Sequence, residues 1–253
     1  MGHYSRATFN GCRAEVKDRS RRPAQDAVNP RPRMDTVAEQ SASPEKPLLR
    51  GVSHQVAFFF ALVAAVALVL RSKSFEAGVA SLAFGASLTL LFGTSALYHR
   101  VKWSSSQRRW MRRFDHSAIF VLIAGGYTPI FALVPSSTGG HVALWVIWIG
   151  ALIGVVKSLL WAHAPKWITA LLCVVLGWTV AGQVVDRAPA VGGLAVGMLI
   201  LCGVIYSVGA VVYALRRPDP FPKVFGYHEV FHALVIIASV CLFMHVVLVL
   251  RAV

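Results

Sequence analysis

The stretch FGYHEVFHALVIIASVCLFMHVVLVL, from Phe225 to Leu250, decides how this chain is read. Beyond His232 it is almost wholly apolar, and as a helix it is long enough to cross roughly 30 Å of hydrocarbon. His228 and His232 stand at its mouth, four residues apart, so a helix places them on one face one turn from each other. Ionisable groups at the entrance of a membrane helix are costly and rare, which marks them as a functional site. Two imidazoles at this spacing can hold one metal ion, with zinc the usual occupant. Two ligands do not complete a site, so a third has to come from elsewhere in the chain.

The rest of the composition agrees with a membrane reading. Of 253 residues, 56% are hydrophobic and only 14% charged, and apolar runs of about twenty residues recur along the chain. This is the pattern of an all-α, polytopic membrane protein. The formal charge of +14 would suggest nucleic acid in a soluble protein. Here the basic residues fall in loops and in the N-terminal tail, so nucleic acid is not expected as a partner. Cys12, Cys173, Cys202 and Cys241 show no paired spacing, and three lie within apolar runs. They are expected to be small packing residues rather than disulfides or ligands.

Residues 1–47 are polar and lack hydrophobic periodicity, the composition of a disordered basic tail. The tail has no apolar core of the secretory type. Arg6 stands where a myristoylation signal needs Ser or Thr. Met34, shortly before the first span, is an alternative start that would make residues 1–33 a translated upstream region. Residues 48–253 form the membrane domain. Seven spans are expected at 55–70, 77–98, 117–134, 142–160, 167–185, 190–215 and 228–250. Short connections imply antiparallel neighbours. Gly150-x-x-x-Gly154 and Gly193-x-x-x-Gly197 should let helix backbones approach closely. Pro129 should kink the third span or open its hydrogen-bond ladder.

Orientation follows from Lys and Arg on alternate sides of the spans. One side carries 21 of them, 11 without the tail, and the other carries Arg71, Lys73, Arg187 and Arg251. The N-terminus is therefore expected in the cytoplasm and the C-terminus outside, with the basic face against anionic lipid head groups.

This topology brings scattered residues to one depth. The second span ends at Ser95-Ala96-Leu97-Tyr98-His99, the third begins near Asp115-His116, the first begins near His54, and the seventh begins at His228. His99, His228 and His232 form the expected metal set, since three imidazoles leave zinc an open catalytic position. Ser95 lies one turn from His99 on the same face, and Asp115 lies across the loop. His3, His141 and His245 fall elsewhere. Any one of these histidines, taken alone, reads more readily as an interfacial anchor or a paired polar group, and only the H-x-x-x-H pair with His99 at the same depth reverses that. Asp115 alone reads as a helix cap or a counter-charge to the neighbouring arginines. His228-Glu229-Val230-Phe231-His232 also satisfies H-E-x-x-H, the metalloprotease pattern with Glu as general base. The motif opens the last span, and no acidic residue follows Glu229 to supply a further ligand.

Three ordered motifs carry a family resemblance. They are Ser95-x-x-x-His99, then Asp115-x-Ser-Ala-Ile-Phe with Gly125-Gly126-Tyr127-Thr128-Pro129, and last Gly226-Tyr227-His228-Glu229-Val230-Phe231-His232. Together they resemble the hemolysin III family, related to the progestin and adipoQ receptors and more distantly to alkaline ceramidases. The resemblance implies seven helices, a cytoplasmic N-terminus, and zinc held by His99, His228 and His232. The first span departs from the pattern. Arg50-Gly51-Val52-Ser53-His54 stands where relatives often show an acidic residue and Asn before Thr-His.

Three function classes and one weaker alternative follow. The leading expectation is a membrane zinc protein that hydrolyses a lipid amide or ester at the cytoplasmic side of the cell (plasma or inner) membrane, with Asp115 and Ser95 as catalytic groups. The family name implies a pore-forming or cytolytic protein, although no helix face shows a charged stripe. The third class is a receptor or membrane-homeostasis sensor without turnover. An intramembrane metalloprotease is the remaining, weaker alternative. Membrane lipids are the expected partners. The oligomeric state is not legible.

Overall fold

The computed structural model describes residues 47–135, 140–161 and 163–253. The expectations of a disordered tail (residues 1–46 of it) and of a Met34 start, with His3 and Cys12, fall outside them. The described residues belong to one compact unit, Glu45–Val253. Its helices are α1 (Val52–Leu70), α2 (Phe75–Arg100), α3 (Ser105–Leu133), α4 (Gly140–Leu160), α5 (Lys166–Trp178), α6 (Ala181–Val185), α7 (Ala188–Val191), α8 (Gly193–Leu215) and α9 (Tyr227–Ala252). Seven stretches among the described residues are long and apolar enough to cross a membrane, α5 and α6 together making the fifth. The protein is a multi-pass, all-α membrane protein.

Its packing shows the same thing. Large apolar side chains such as Phe60 and Val63 on α1 are exposed, while Ser81, Ser87 and Ser95 on α2 are buried. An apolar exterior around a partly polar interior suits lipid as the surrounding solvent. Sequence neighbours α1–α2, α2–α3, α3–α4 and α8–α9 pack side by side, and α9 also touches α1, α2 and α3. The last helix thereby closes the bundle.

Small residues set several of these approaches. A Cβ added at Gly154 would stand 2.2 Å from the Phe120 ring, and one at Gly150 would stand 2.4 Å from Leu176. The first glycine pair therefore does bring helices together. The second does not: no atom of another helix lies within 4 Å of a Cβ built at Gly193 or Gly197.

Three boundaries differ from the sequence reading. The third helix begins at Ser105, twelve residues before the apolar run. There the Ser104 hydroxyl accepts from the Gln107 amide (3.3 Å) while the Gln107 side chain accepts from the Ser104 amide (3.1 Å). This reciprocal cap starts a helix through a basic stretch that hydropathy alone passes over. α3 then continues through Pro129 to Leu133. The fifth span is broken after Trp178, and the freed carbonyl of Gly177 accepts a hydrogen bond from the Tyr127 hydroxyl of α3. The sixth span starts at Gly193, after Gly192 turns the chain at φ +86°.

At the end of the bundle remote from the histidine motif, Arg187 is buried over the Phe131 ring. Its Nε donates to the Val134 carbonyl (3.3 Å), at the C-terminus of α3. A cation there complements the helix's last carbonyls.

Candidate metal centre

α9 starts the centre. Gly226 caps it, and a Cβ at Gly226 would stand 2.6 Å from Asp219 Oδ1, so a larger residue would have to displace that carboxylate. The Tyr227 amide donates to Asp219 Oδ1 (2.7 Å), and the Gly226 amide donates to Glu229 Oε2 (2.9 Å). With that first turn fixed, His228 and His232 project from one face toward the end of α2.

There they meet His99. One ring nitrogen each from His99, His228 and His232 falls within 4.8 Å of the others. The Nε2 atoms of His228 and His99 stand 3.1 Å apart. Two such lone pairs repel unless a proton or a cation lies between them. Tetrahedral zinc with Zn–N of about 2.0–2.1 Å would separate its nitrogens by roughly 3.3 Å, so the spacing fits a shared ion. The His232 ring centroid lies 4.5 Å from that of His228 and 5.0 Å from that of His99. Its buried Nδ1 has no hydrogen-bond partner. A buried imidazole nitrogen without a partner is costly as mere packing, and three imidazoles converging this closely suit a bound cation. The three residues can hold a metal ion.

Backbone and rings hold the cluster from behind. Gly51 takes φ +79°, and a Cβ there would stand 2.5 Å from His99 Cβ, so the chain entering α1 presses directly on that histidine. His54, buried to 3% exposure, stacks on the His232 ring and meets Phe92 edge-on at 5.0 Å.

Ser95, His99, Asp115, His228 and His232 all line one cavity of about 340 Å³. Asp115 is half-buried and accepts a hydrogen bond from Ser95. His116 lines the same cavity, its Nε2 3.5 Å from the Tyr213 hydroxyl. From this polar end the cavity runs between apolar side chains, including Ile119, Ile123, Val235 and Leu242, toward Trp178. His141 and His245 take no part: His141 is exposed on the first turn of α4, and buried His245 lies 2.8 Å through Nδ1 from the Ala195 carbonyl.

Glu229 occupies a position of its own. It is 3% exposed and does not line the cavity. One carboxylate oxygen pairs with Arg50 and the other caps Gly226. The H-E-x-x-H spacing therefore comes from a structural glutamate, held away from the place a general base would need.

Lys166 and Tyr213 have no place in the sequence reading, and Arg50 and Tyr227 appear there only within motifs, with no role of their own. Lys166 and Tyr213 sit at span ends that share the depth of His228, which is the signal that could have found them.

A seven-helix membrane bundle with three histidines converging at one end defines the class. The profile of the family described as Haemolysin-III related matches residues 42–243, and the chain belongs to that family. The hemolysin-3 homolog of Bacillus subtilis (strain 168) is 27% identical over 213 residues, 83% of this chain and 93% of the relative. The hemolysin-3 of Bacillus cereus is 25% identical over 199 residues, 78% of this chain and 88% of the relative. No solved structure matches the chain.

Proposed function

We propose that this protein is a zinc-dependent hydrolase of a lipid amide or ester, working at the cytoplasmic end of the bundle in the plasma (inner) membrane. The observation that carries the reading is the meeting of two things: three convergent imidazoles, and a Ser95–Asp115 pair on the wall of the same apolar cavity. At about 340 Å³ the cavity falls within the range of small-molecule sites, about 300–1,000 Å³. It is polar where chemistry would occur and apolar where an acyl chain would lie.

His99, His228 and His232 would hold the ion, which supplies carbonyl polarisation and makes water a better acid. Asp115 takes the proton of the attacking water as its oxygen bonds to the carbonyl carbon. The same carboxyl then returns the proton to the leaving nitrogen or oxygen as that bond breaks. Ser95 donates to Asp115 and fixes which oxygen faces the water. Arg50 and Glu229 position the first turn of α9, and Gly51 backs His99. The basic residues at this end lie against anionic head groups.

The test starts with metal. Purified full-length protein should hold about one zinc per chain by elemental analysis, as three ligands with an open position imply. His228→Ala and His232→Ala should each lose most of it, while His141→Ala and His245→Ala keep it. The same preparations are assayed on N-acyl and O-acyl lipids. A wild type without zinc would overturn the reading. Zinc with no turnover on any such lipid would move the protein to the receptor or sensor class.

A further inference from the structure

Lys166 opens α5 at the cavity's polar end. Its ammonium donates to the Tyr227 hydroxyl (3.1 Å) and stands over two rings, 4.9 Å from the centroid of Tyr213 and 5.4 Å from that of Tyr227. All these partners are neutral, and no carboxylate among the described residues pairs with it. Tyr213, Tyr227, His116 and Arg112 line the same cavity. Both tyrosine rings flank His228, each with its centroid 6.1 Å away, which places the lysine near the metal set. Besides Arg50, the cavity wall carries Arg108 and Lys166 against one carboxylate, Asp115. Arg50 is matched by Glu229 behind the wall. The polar end therefore has an excess of positive charge, which a bound metal would only increase.

A lysine that only needed to reach water would leave its ammonium at the surface. This one is half-buried and caged between two tyrosines facing the cavity. A cation held among neutral groups at an apolar cavity favours an anion, through a charge-assisted hydrogen bond stronger than any a tyrosine offers. We infer that the cavity's ligand is an anionic lipid: its carboxylate or phosphate seats on Lys166 between Tyr213 and Tyr227, and its chain runs toward Trp178. The inference rests on the reading of the cavity as a lipid site and adds the charge of the head group.

Direct binding tests it on the full chain, zinc-loaded, in neutral detergent. Two matched pairs that the protein cannot hydrolyse serve as probes: oleate against oleyl alcohol, and an alkyl-ether lysophosphatidate against the matching alkyl glycerol. Wild type should prefer the anion of at least one pair by roughly 10-fold or more, and the pair that shows it tells carboxylate from phosphate. Lys166→Gln should bring the anion down to its neutral partner without changing the neutral one, and Lys166→Arg should keep the preference. Ala210→Phe fills the cavity and should abolish binding of every probe. Equal affinity of anion and neutral partner in wild type would overturn the inference, as would a preference that survives Lys166→Gln. A preference that survives Ala210→Phe would assign it to head groups on the outer surface and also overturn the inference. Zinc content and amide or ester turnover are read on the same samples. A failed anion preference with both intact leaves the hydrolase reading standing, and absent zinc with the preference intact does the reverse.

Discussion

The imidazole of His54 lies flat against that of His232, with 3.8 Å between centroids and 9° between planes, across 178 positions of sequence. His54 Nε2 also stands 3.4 Å from the His232 carbonyl. The first helix therefore backs the ring that the last helix offers to a metal. Residues that orient a ligand typically contribute 10–100-fold to metal affinity. His54→Ala should weaken zinc binding by about 10-fold in a chelator competition, with the chain still folded. His54→Phe keeps a flat ring and should stay within a few-fold of wild type. Unchanged affinity in His54→Ala would reduce the stack to ordinary packing.

Gly51 presses on His99 from the other side. Its left-handed backbone suits glycine, and a Cβ there would stand 2.5 Å from His99 Cβ. A non-glycine residue in such a conformation costs of order 1–3 kcal/mol, and here His99 must move as well. Gly51→Ala should lower the unfolding temperature and the zinc content together. Gly193→Ala, at a glycine with open space around its Cβ, should change neither.

Glu229 separates a structural role from a catalytic one. Its partner Arg50 has a side chain 22% exposed. Removing the charge should therefore cost about 1–3 kcal/mol, less than the usual penalty for breaking a fully buried pair. Glu229→Gln should melt earlier while retaining most activity per folded, zinc-loaded molecule. The double change Arg50→Met, Glu229→Gln should recover part of the lost stability, because it no longer strands the guanidinium. A stable Glu229→Gln protein with abolished turnover would restore the metalloprotease pattern to consideration.

Much of this was legible because membrane spans impose depth. Once seven apolar runs are counted, His99 at the end of one helix and His228 at the start of another must share a level, and the cluster follows. What could not be read was lateral. That Arg50 meets Glu229, that His54 lies on His232 rather than beside it, and that Lys166 enters a tyrosine cage depend on which helix is whose neighbour and on side-chain rotamers. The early start of α3 was signalled by Ser104 and Gln107 but hidden by the basic residues that follow. The break after Trp178 is met by a hydroxyl from another helix, Tyr127, and no local pattern announces that contact.

Orientation rests on charge alone and has a direct test. With 21 Lys and Arg on the histidine side against four on the other, the positive-inside rule places the histidines at the cytoplasmic face. Reporter fusions within residues 102–109 and 218–223 should report cytoplasm. Fusions after Pro135 and after Val253 should report the outside. A cytoplasmic C-terminus would move the proposed chemistry to the opposite leaflet or remove one span.

Asp115 and Ser95 decide between an enzyme and a clasp. Both line the cavity beside the histidines, and Ser95 donates to the carboxylate. Asp115→Asn keeps size and polarity but removes the group that could take a proton. If Asp115 is the base, zinc content and melting temperature should stay near wild type, while lipid amide or ester turnover falls by roughly 10²-fold or more. Ser95→Ala should cost less, since water can replace a hydroxyl that only orients its partner. The two losses should not multiply in the double variant, because Ser95 acts through Asp115. The alternative makes a different pattern. If the carboxylate only ties α2 to α3, Asp115→Asn and Ser95→Ala should both lower stability by about 1 kcal/mol, and turnover should follow the amount of folded protein. Zinc retained with turnover lost identifies the base. Zinc and fold lost together identify a structural clasp and favour the sensor or receptor reading.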